Sequence, residues 1–301
     1  MNATVETDQL VALFGATGNI SSTVLNQLEE AKLNSEKHGG TTINFAVRIC
    51  TRHPELLHER KFPFPVEICK GSINELDRLD HLLRGVSRVF FCLPQHLSAS
   101  EMVSVSSAFT DSARKNGVKV VVRISSYGMD DKSASTCSQG SLGEAHIAGE
   151  EYMRESGLIV TSVRPTSFFS NFLKYDVPSI QASQTFYSPL GNEASVNWIS
   201  CEDISAVVAL SLVKSSLDGR VLDITGSENN TLSAEKMRSL IQLKTGKSIS
   251  YVELPIPESG EMNGLWIFLR SGGFSHSTTT FEEVTGRKPI EFSDYIEKLE
   301  L

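Results

Sequence analysis

The stretch Leu10-Val11-Ala12-Leu13-Phe14-Gly15-Ala16-Thr17-Gly18-Asn19-Ile20-Ser21 decides the fold class, because an apolar run meets a Gly-x-x-Gly turn and then an amphipathic segment. It reads as a strand, a phosphate-binding turn and a helix. Gly15 supplies the backbone angles of a tight turn, Gly18 lets the main chain approach a pyrophosphate, and amides from Asn19 onward point at negative charge. Thr17 and Ile20 complete the expected dinucleotide cradle. The fingerprint is incomplete, since Ser21 stands where a third glycine is usual, and a lone glycine pattern is common by chance. Context carries the reading: a second apolar segment, Ile43-Asn44-Phe45-Ala46-Val47-Arg48-Ile49-Cys50, follows at the distance a βαβ unit requires. The alternative is a purely structural glycine turn.

The chain has 301 residues, 40% hydrophobic and 21% charged, which is globular composition with ample length for a large core. A net charge of −8 and the lack of any Lys/Arg block disfavour nucleic acid and anionic membranes as partners. Cys50, Cys69, Cys92, Cys137 and Cys201 form no Cys-x-x-Cys pair and read as reduced, buried small hydrophobes. The polar, acidic first residues do not resemble a signal peptide, and no apolar run approaches the ~20 residues that span a bilayer. A cytoplasmic protein is the expectation.

Strand-like segments at 10–14, 43–50, 66–69, 87–93, 118–124 and 158–163 alternate with helix-like ones at 19–33, 73–83, 98–116 and 143–156. Such alternation predicts an α/β fold, a Rossmann doubly wound parallel sheet with a smaller C-terminal α/β substrate lobe. Residues 1–165, completed by about 195–225, are expected to form the nucleotide-binding domain, and 166–194 with 226–301 the lobe. Between Thr166 and Asn192 the Ser/Phe/Asn/Pro-rich sequence holds no clean period, so it is a candidate substrate loop. A helix near 202–214, a strand at 221–224 and short helices around Tyr251-Val252-Glu253-Leu254 follow.

In a doubly wound fold ligands lie at the carboxyl ends of the strands, so the residues after each strand matter most. After the second strand stand Thr51-Arg52-His53-Pro54, with no acidic residue to hold a ribose 2′-hydroxyl. Arg52 suits a 2′-phosphate, hence NADP, unless it is simply a solvated surface arginine. The turns Cys92-Leu93-Pro94-Gln95-His96 and Ser125-Ser126-Tyr127-Gly128 are expected beside the nicotinamide end, with Leu93, Pro94, Gln95 and Ser125 as contacts. His96 and Tyr127 are equally readable as ordinary half-buried loop residues.

Together, Gly-Ala-Thr-Gly-Asn-Ile, Thr-Arg-His-Pro, Val-Phe-Phe-Cys-Leu-Pro, Arg-Ile-Ser-Ser-Tyr-Gly, His146-x3-Glu150-Glu151-Tyr152-Met153-Arg154 and Val163-Arg164-Pro165-x5-Asn171 resemble the NmrA-like family of atypical short-chain dehydrogenase/reductases. The resemblance extends to Asp223-Ile224-Thr225-Gly226 and to Val284-Thr285-Gly286-Arg287-Lys288-Pro289. It implies NADP(H) binding and a C-terminal lobe that closes a substrate cleft. Members related to quinone oxidoreductases, isoflavone-reductase-like and festuclavine-synthase-like proteins reduce quinones, phenylpropanoid-type compounds or alkaloid iminium ions. Others bind the nucleotide as sensors that regulate protein partners. Fold resemblance alone does not choose between them.

The Tyr-x-x-x-Lys pair of ordinary short-chain dehydrogenases is missing: four residues after the six tyrosines stand Asp131, Ser156, Ser179, Gly191, Pro255 and Leu299. A ketone needs a proton as hydride arrives, whereas an iminium carbon gives a neutral amine directly, so conjugated or iminium acceptors fit better. His146 falls where the resemblance places the catalytic lysine of isoflavone-reductase-like members. It is the first acid/base candidate, against a structural or nicotinamide-packing histidine. Glu150, one helical turn on, either orients His146 or faces solvent. Ser126, Tyr127 and Tyr152 are further donor candidates, while Phe168, Phe169, Phe172 and Trp198 wall an apolar cleft or belong to the core.

No metal-ligand spacing and no serine nucleophile elbow occur in the sequence. The leading expectation is an NADPH-dependent reductase of a hydrophobic small molecule in specialised, alkaloid-type biosynthesis. A nucleotide-sensing regulator with a protein partner and a biosynthetic cyclase using the same cleft are the alternatives.

Overall fold

A computed structural model describes residues 9–16, 18–37, 44–129 and 140–301. In chain order the first elements are β1 (Leu10–Phe14), α1 (Asn19–Lys37), β2 (Ala46–Thr51), β3 (Val66–Lys70), α2 (Leu79–Leu82), β4 (Arg88–Phe91), α3 (Ala99–Lys115), β5 (Val120–Ile124), α4 (Gly140–Glu155) and β6 (Ile159–Pro165). There follow β7 (Ser167–Phe168), α5 (Phe169–Tyr175), α6 (Val177–Ser183), β8 (Thr185–Ser188), β9 (Ser195–Ile199), α7 (Cys201–Val213), β10 (Val221–Ile224), β11 (Thr231–Ser233), α8 (Ala234–Thr245), β12 (Ser250–Glu253), α9 (Met262–Arg270), α10 (Thr280–Thr285) and α11 (Phe292–Glu297).

The central sheet has seven strands in the order β10-β6-β5-β4-β1-β2-β3. From β3 to β6 every neighbouring pair is parallel, which the apolar strands and intervening helices predict. The chain runs outward from β1 to β3 and then resumes at β4 on the other side of β1. The topological switch point therefore lies between β1 and β4, the place where open α/β sheets bind ligands.

Two compact units share the chain. The first comprises 1–124, 148–163 and 205–221, and the second 125–147, 164–204 and 222–301. In the first unit, Val11, Ala12 and Leu13 on β1 and Val121 and Val122 on β5 have no exposed surface, as strands covered on both faces require. On α3, Met102, Val105, Phe109 and Ala113 recur at three- and four-residue spacing on the buried face. The Phe109 ring meets Phe91 at 4.6 Å and Phe14 at 6.1 Å. A capping box fixes the start of α3, with Ser98 and Glu101 bonded reciprocally. Gly149 sits mid-helix because a Cβ there would fall 2.8 Å from Ser106 Oγ and 3.3 Å from Arg123 Nη1. The segment 205–221 is tied in by Arg88, which donates to Asp218 and, at 2.9 Å, to the Ser211 carbonyl.

In the second unit, β11, β9 and β7 form a three-stranded sheet and β12 pairs in parallel with β8. Phe169, Phe172, Phe186, Met237, Ile241 and Phe292 build its main core. Asn197 is the polar hub of this unit: its Oδ1 accepts from Gly226 N at 2.8 Å and Thr166 Oγ1 at 3.1 Å, and its Nδ2 donates to the Ser227 carbonyl at 2.9 Å. A Cβ on Gly226 would fall 2.0 Å from the Trp198 carbonyl, so only glycine fits that position.

Several expectations are corrected. The helix expected over 73–83 shrinks to the single turn α2 after a 3-10 turn at 76–78, because the buried Leu79, Leu82 and Leu83 give the apolar signal without a side-chain cap. The segment expected as an irregular loop from 166 to 192 is largely regular, as β7, α5, α6 and β8. Short elements of about seven residues hold too few turns to show a period. Cys50 is fully buried, but Cys69, Cys92 and Cys201 are half-buried, with Cys69 on the edge strand β3; Cys137 lies outside the described residues. Burial, with Cys69 close by, pushes the Cys50 thiol up to about 12.

Candidate functional site

In the first unit the turn after β1 is built from its two glycines. Gly15 adopts φ +71°, and its N–H donates to the Cys50 carbonyl of β2 at 2.8 Å. Gly18 N–H closes the turn on the Gly15 carbonyl at 2.7 Å, and Ser22 N–H then donates to Gly18 at 3.0 Å as the helix begins. A Cβ on Gly18 would come within 3.2 Å of the Gly15 carbonyl. Gly15, Gly18 and Asn19 are exposed, whereas Ile20 is buried and its carbonyl accepts from Ser205 Oγ at 3.3 Å. The first turn of α1 carries no acidic residue, so its amide end is open to an anion. Thr17 lies outside the described residues.

Arg52 follows β2 and is exposed, with no hydrogen-bond or ion-pair partner among the described residues. The nearby Glu55 carboxylate is instead held by His53 Nδ1 at 3.1 Å. Beyond β4, Leu93 packs against the core, Pro94 is half-buried and Gln95 is exposed, the turn closing through Leu97 N–H on the Pro94 carbonyl at 3.4 Å. Glu150 is not solvent-facing: it is buried, and its Oε1 accepts from Arg154 Nη2 at 3.2 Å. Arg154 also reaches Ser162 Oγ at 3.1 Å. Tyr152 is exposed and donates to Asp111 at 2.9 Å, a bond that holds its phenol above the usual range.

In the second unit, Ser125 is buried directly after β5, and Ser126 and Tyr127 are half-buried. Tyr127 N–H donates to the Pro165 carbonyl at 3.1 Å, and its ring stands edge-on to Phe274 at 6.0 Å. His146 is half-buried on α4.

The second unit also encloses a cavity of about 370 Å³. Its walls come from Asn171 and Tyr175 on α5, Asp176, Phe186 and Tyr187 on β8, Trp198 on β9, Met237 on α8, and Leu265, Trp266 and Leu269 on α9. That volume lies in the range of sites for drug-sized apolar ligands. Trp198 is the one aromatic residue expected at a cleft that lines the cavity, for Phe169 and Phe172 are fully buried core and Phe168 is not among its lining residues.

Asp176 escaped the sequence reading. It links α5 to α6, and its backbone is held from both sides, N–H to the Phe172 carbonyl at 2.9 Å and carbonyl from Ile180 N–H at 3.1 Å. Asp176 is half-buried, its carboxyl has no partner among the described residues, and its partial removal from water pushes it up to about 7. The signal available was a single carboxylate inside an aromatic run, Phe168-Phe169-Ser170-Asn171-Phe172-Leu173-Lys174-Tyr175-Asp176. Among the described residues no cluster of His, Cys, Asp and Glu suits a metal ion.

A parallel sheet with a glycine turn at its switch point defines a Rossmann-type α/β protein. The chain belongs to the NmrA-like family, which it matches over residues 7–301. It is 27% identical to an NAD(P)H azoreductase of Xenophilus azovorans over 300 residues, covering 95% of this chain and 96% of that protein. By structure it resembles the NADPH-dependent quinone oxidoreductase of Escherichia coli, crystallised with NADPH, with a TM-score of 0.76, 16% identity and coverage of 95% and 98%. It also resembles NmrA, a negative transcriptional regulator crystallised with NADP, with a TM-score of 0.72, 14% identity and coverage of 98% and 96%.

Proposed function

We propose that this chain is an NADPH-dependent reductase of a hydrophobic small molecule of the imine, iminium, quinone or conjugated type. The observation that carries the reading is the apolar cavity of the second unit. A cavity of that size and lining suits a small apolar ligand. The relative named an azoreductase and the neighbour named a quinone oxidoreductase support the same class.

The nucleotide would be held in the first unit. In the turn that Gly15 and Gly18 shape, the amides from Asn19 and Ile20, with Thr17, take the pyrophosphate, and Arg52 takes the 2′-phosphate. The open helix end and the partnerless guanidinium fit that anion. Leu93, Pro94, Gln95 and Ser125 are assigned to the nicotinamide end. When bound, the cofactor supplies a hydride. His146 is assigned proton delivery, with Ser126 and Tyr127 as hydroxyl donors and Glu150, fixed by Arg154, as a positioning residue on the same helix. The first unit thus takes the phosphates of the cofactor, and the second carries the substrate cavity.

Where the protein works is part of the same proposal: specialised, alkaloid-type biosynthesis in the cytoplasm. No helix among the described residues is long and apolar enough to cross a membrane. The test is oxidation of NADPH by the purified protein with a panel of cyclic iminium ions, quinones and enones. Turnover of one class is expected. Tight NADPH binding without turnover of any class would overturn the reading in favour of the regulator, and product formed without nucleotide would favour a cyclase.

A further inference from the structure

We propose that the cavity of the second unit recognises an aromatic ligand bearing a protonated nitrogen, with the Asp176 carboxylate as its counter-charge. The inference names the substrate class of the reductase read above and rests on that reading only for the claim that the ligand is reduced.

The cavity walls are apolar and aromatic, with Tyr175, Phe186, Trp198 and Trp266 among them, and Asp176 is the one ionisable carboxyl in the lining. A carboxylate without a partner in such surroundings is unstable until it gains a proton or a cation. Among the described residues no cation is bonded to the Asp176 carboxylate. Arg270 on α9 is bonded to Glu253, and Arg238 on α8 is bonded to Glu235. Lys174 is exposed, with its ammonium 4.9 Å from the Tyr175 ring centroid, and Lys236 is exposed on α8. Tyr175, Tyr187, Glu235, Lys244, Tyr251 and Glu253 are the other titratable groups on these elements, and none of them shifts the Asp176 carboxyl. A ligand ammonium would supply the missing charge. Aromatic faces around it would add cation–π attraction that a neutral ligand of the same shape cannot gain.

The probes are naphthylethylamine and naphthylethanol, which share a skeleton and differ in charge, titrated calorimetrically into the full chain with and without NADPH. The amine is expected to bind at least about tenfold more tightly than the alcohol at pH 8. Its affinity should fall toward pH 6, where Asp176 holds its own proton, while that of the alcohol stays flat. Asp176→Asn should abolish the preference, and Asp176→Glu should retain part of it. Equal binding of the two probes by the wild type would overturn the inference, as would a preference that survives in Asp176→Asn. Should the Asn variant fail to fold, the pH dependence of the wild type decides alone. Tight amine binding with no NADPH oxidation by any iminium ion, quinone or enone of the panel would leave this inference standing and remove the reductase reading. Turnover of neutral acceptors without any amine preference would do the reverse.

Discussion

Arg287 Nη1 donates to Asp203 Oδ1 at 2.6 Å, and the other oxygen of that fully buried carboxylate accepts from Ile290 N–H at 2.8 Å. One acidic side chain at the start of α7 therefore anchors the Gly286-Arg287-Lys288-Pro289 run, so that motif is structural. Arg287→Ala should cost about 2 kcal/mol, the low side for breaking a buried pair because the arginine is 43% exposed. Asp203→Ala should cost about 3–5 kcal/mol, since it strands a backbone donor as well. Denaturant unfolding followed by circular dichroism would check both, and an Asp203→Ala midpoint equal to wild type would contradict the assignment.

Gly226→Ala should be the most damaging single methyl in the second unit. Its Cβ would fall 2.0 Å from the Trp198 carbonyl and 2.5 Å from Asn230 Nδ2, which is itself held by the Ile290 carbonyl, while the Gly226 N–H is bound to Asn197 Oδ1. A loss of about 3 kcal/mol or more is expected. Soluble yield and melting temperature measure it, and a wild-type melt would refute the packing argument.

For the nucleotide site, Arg52→Ala should weaken NADPH about 10- to 100-fold and leave NADH unchanged, because only the former carries the 2′-phosphate. Gly18→Ala should weaken both alike by crowding the turn. Fluorescence titration with the two nucleotides separates these effects. Parallel losses for Arg52→Ala would remove that residue from the 2′-phosphate.

His146→Ala should lower kcat by about 10²- to 10⁴-fold with NADPH affinity retained, the range for a lost acid/base group. Steady-state kinetics and nucleotide titration on the same preparation are the check. Loss of binding with kcat intact would mark His146 as a packing residue instead.

Asp176 should also set a pH dependence of stability. Its carboxyl titrates near 3.8 in the unfolded chain and about 7 in the fold, so the folded state holds the proton more tightly. Below pH 3.8 both states are protonated and the residue contributes nothing. As pH rises through that window stability falls, by on the order of 2–4 kcal/mol in all, and above about 7 the loss is complete. Asp176→Asn should therefore stabilise the protein at pH 8 and not at pH 3.5, read by thermal melts at the two values. Equal melting shifts at both would show that the carboxyl is not buried in solution.

The sheet was legible because its strands are short, β-branched and separated by glycines, and because a switch point needs only strand order. Val120–Ile124 shows this best. The cavity was not legible. Its walls come from β7, α5, β8, β9, α8 and α9, most of them short and far apart in sequence, and no local period reports that Asp176 and Trp266 face one space. Glu150 illustrates the same limit. Its spacing to His146 is visible in the sequence, but its burial against Arg154 depends on packing that spacing does not encode.

The parallel pairing of β8 with β12 joins Thr185 to Ser250, so one cavity wall waits for a strand made much later. A nascent chain released only as far as β10 would already carry the glycine turn, yet its hydrophobic chamber would still lack Met237, Leu254 and α9. During synthesis the protein would thus be ready for its anionic ligand before its apolar one, with Phe186 and Trp198 the surfaces most in need of protection in the interval.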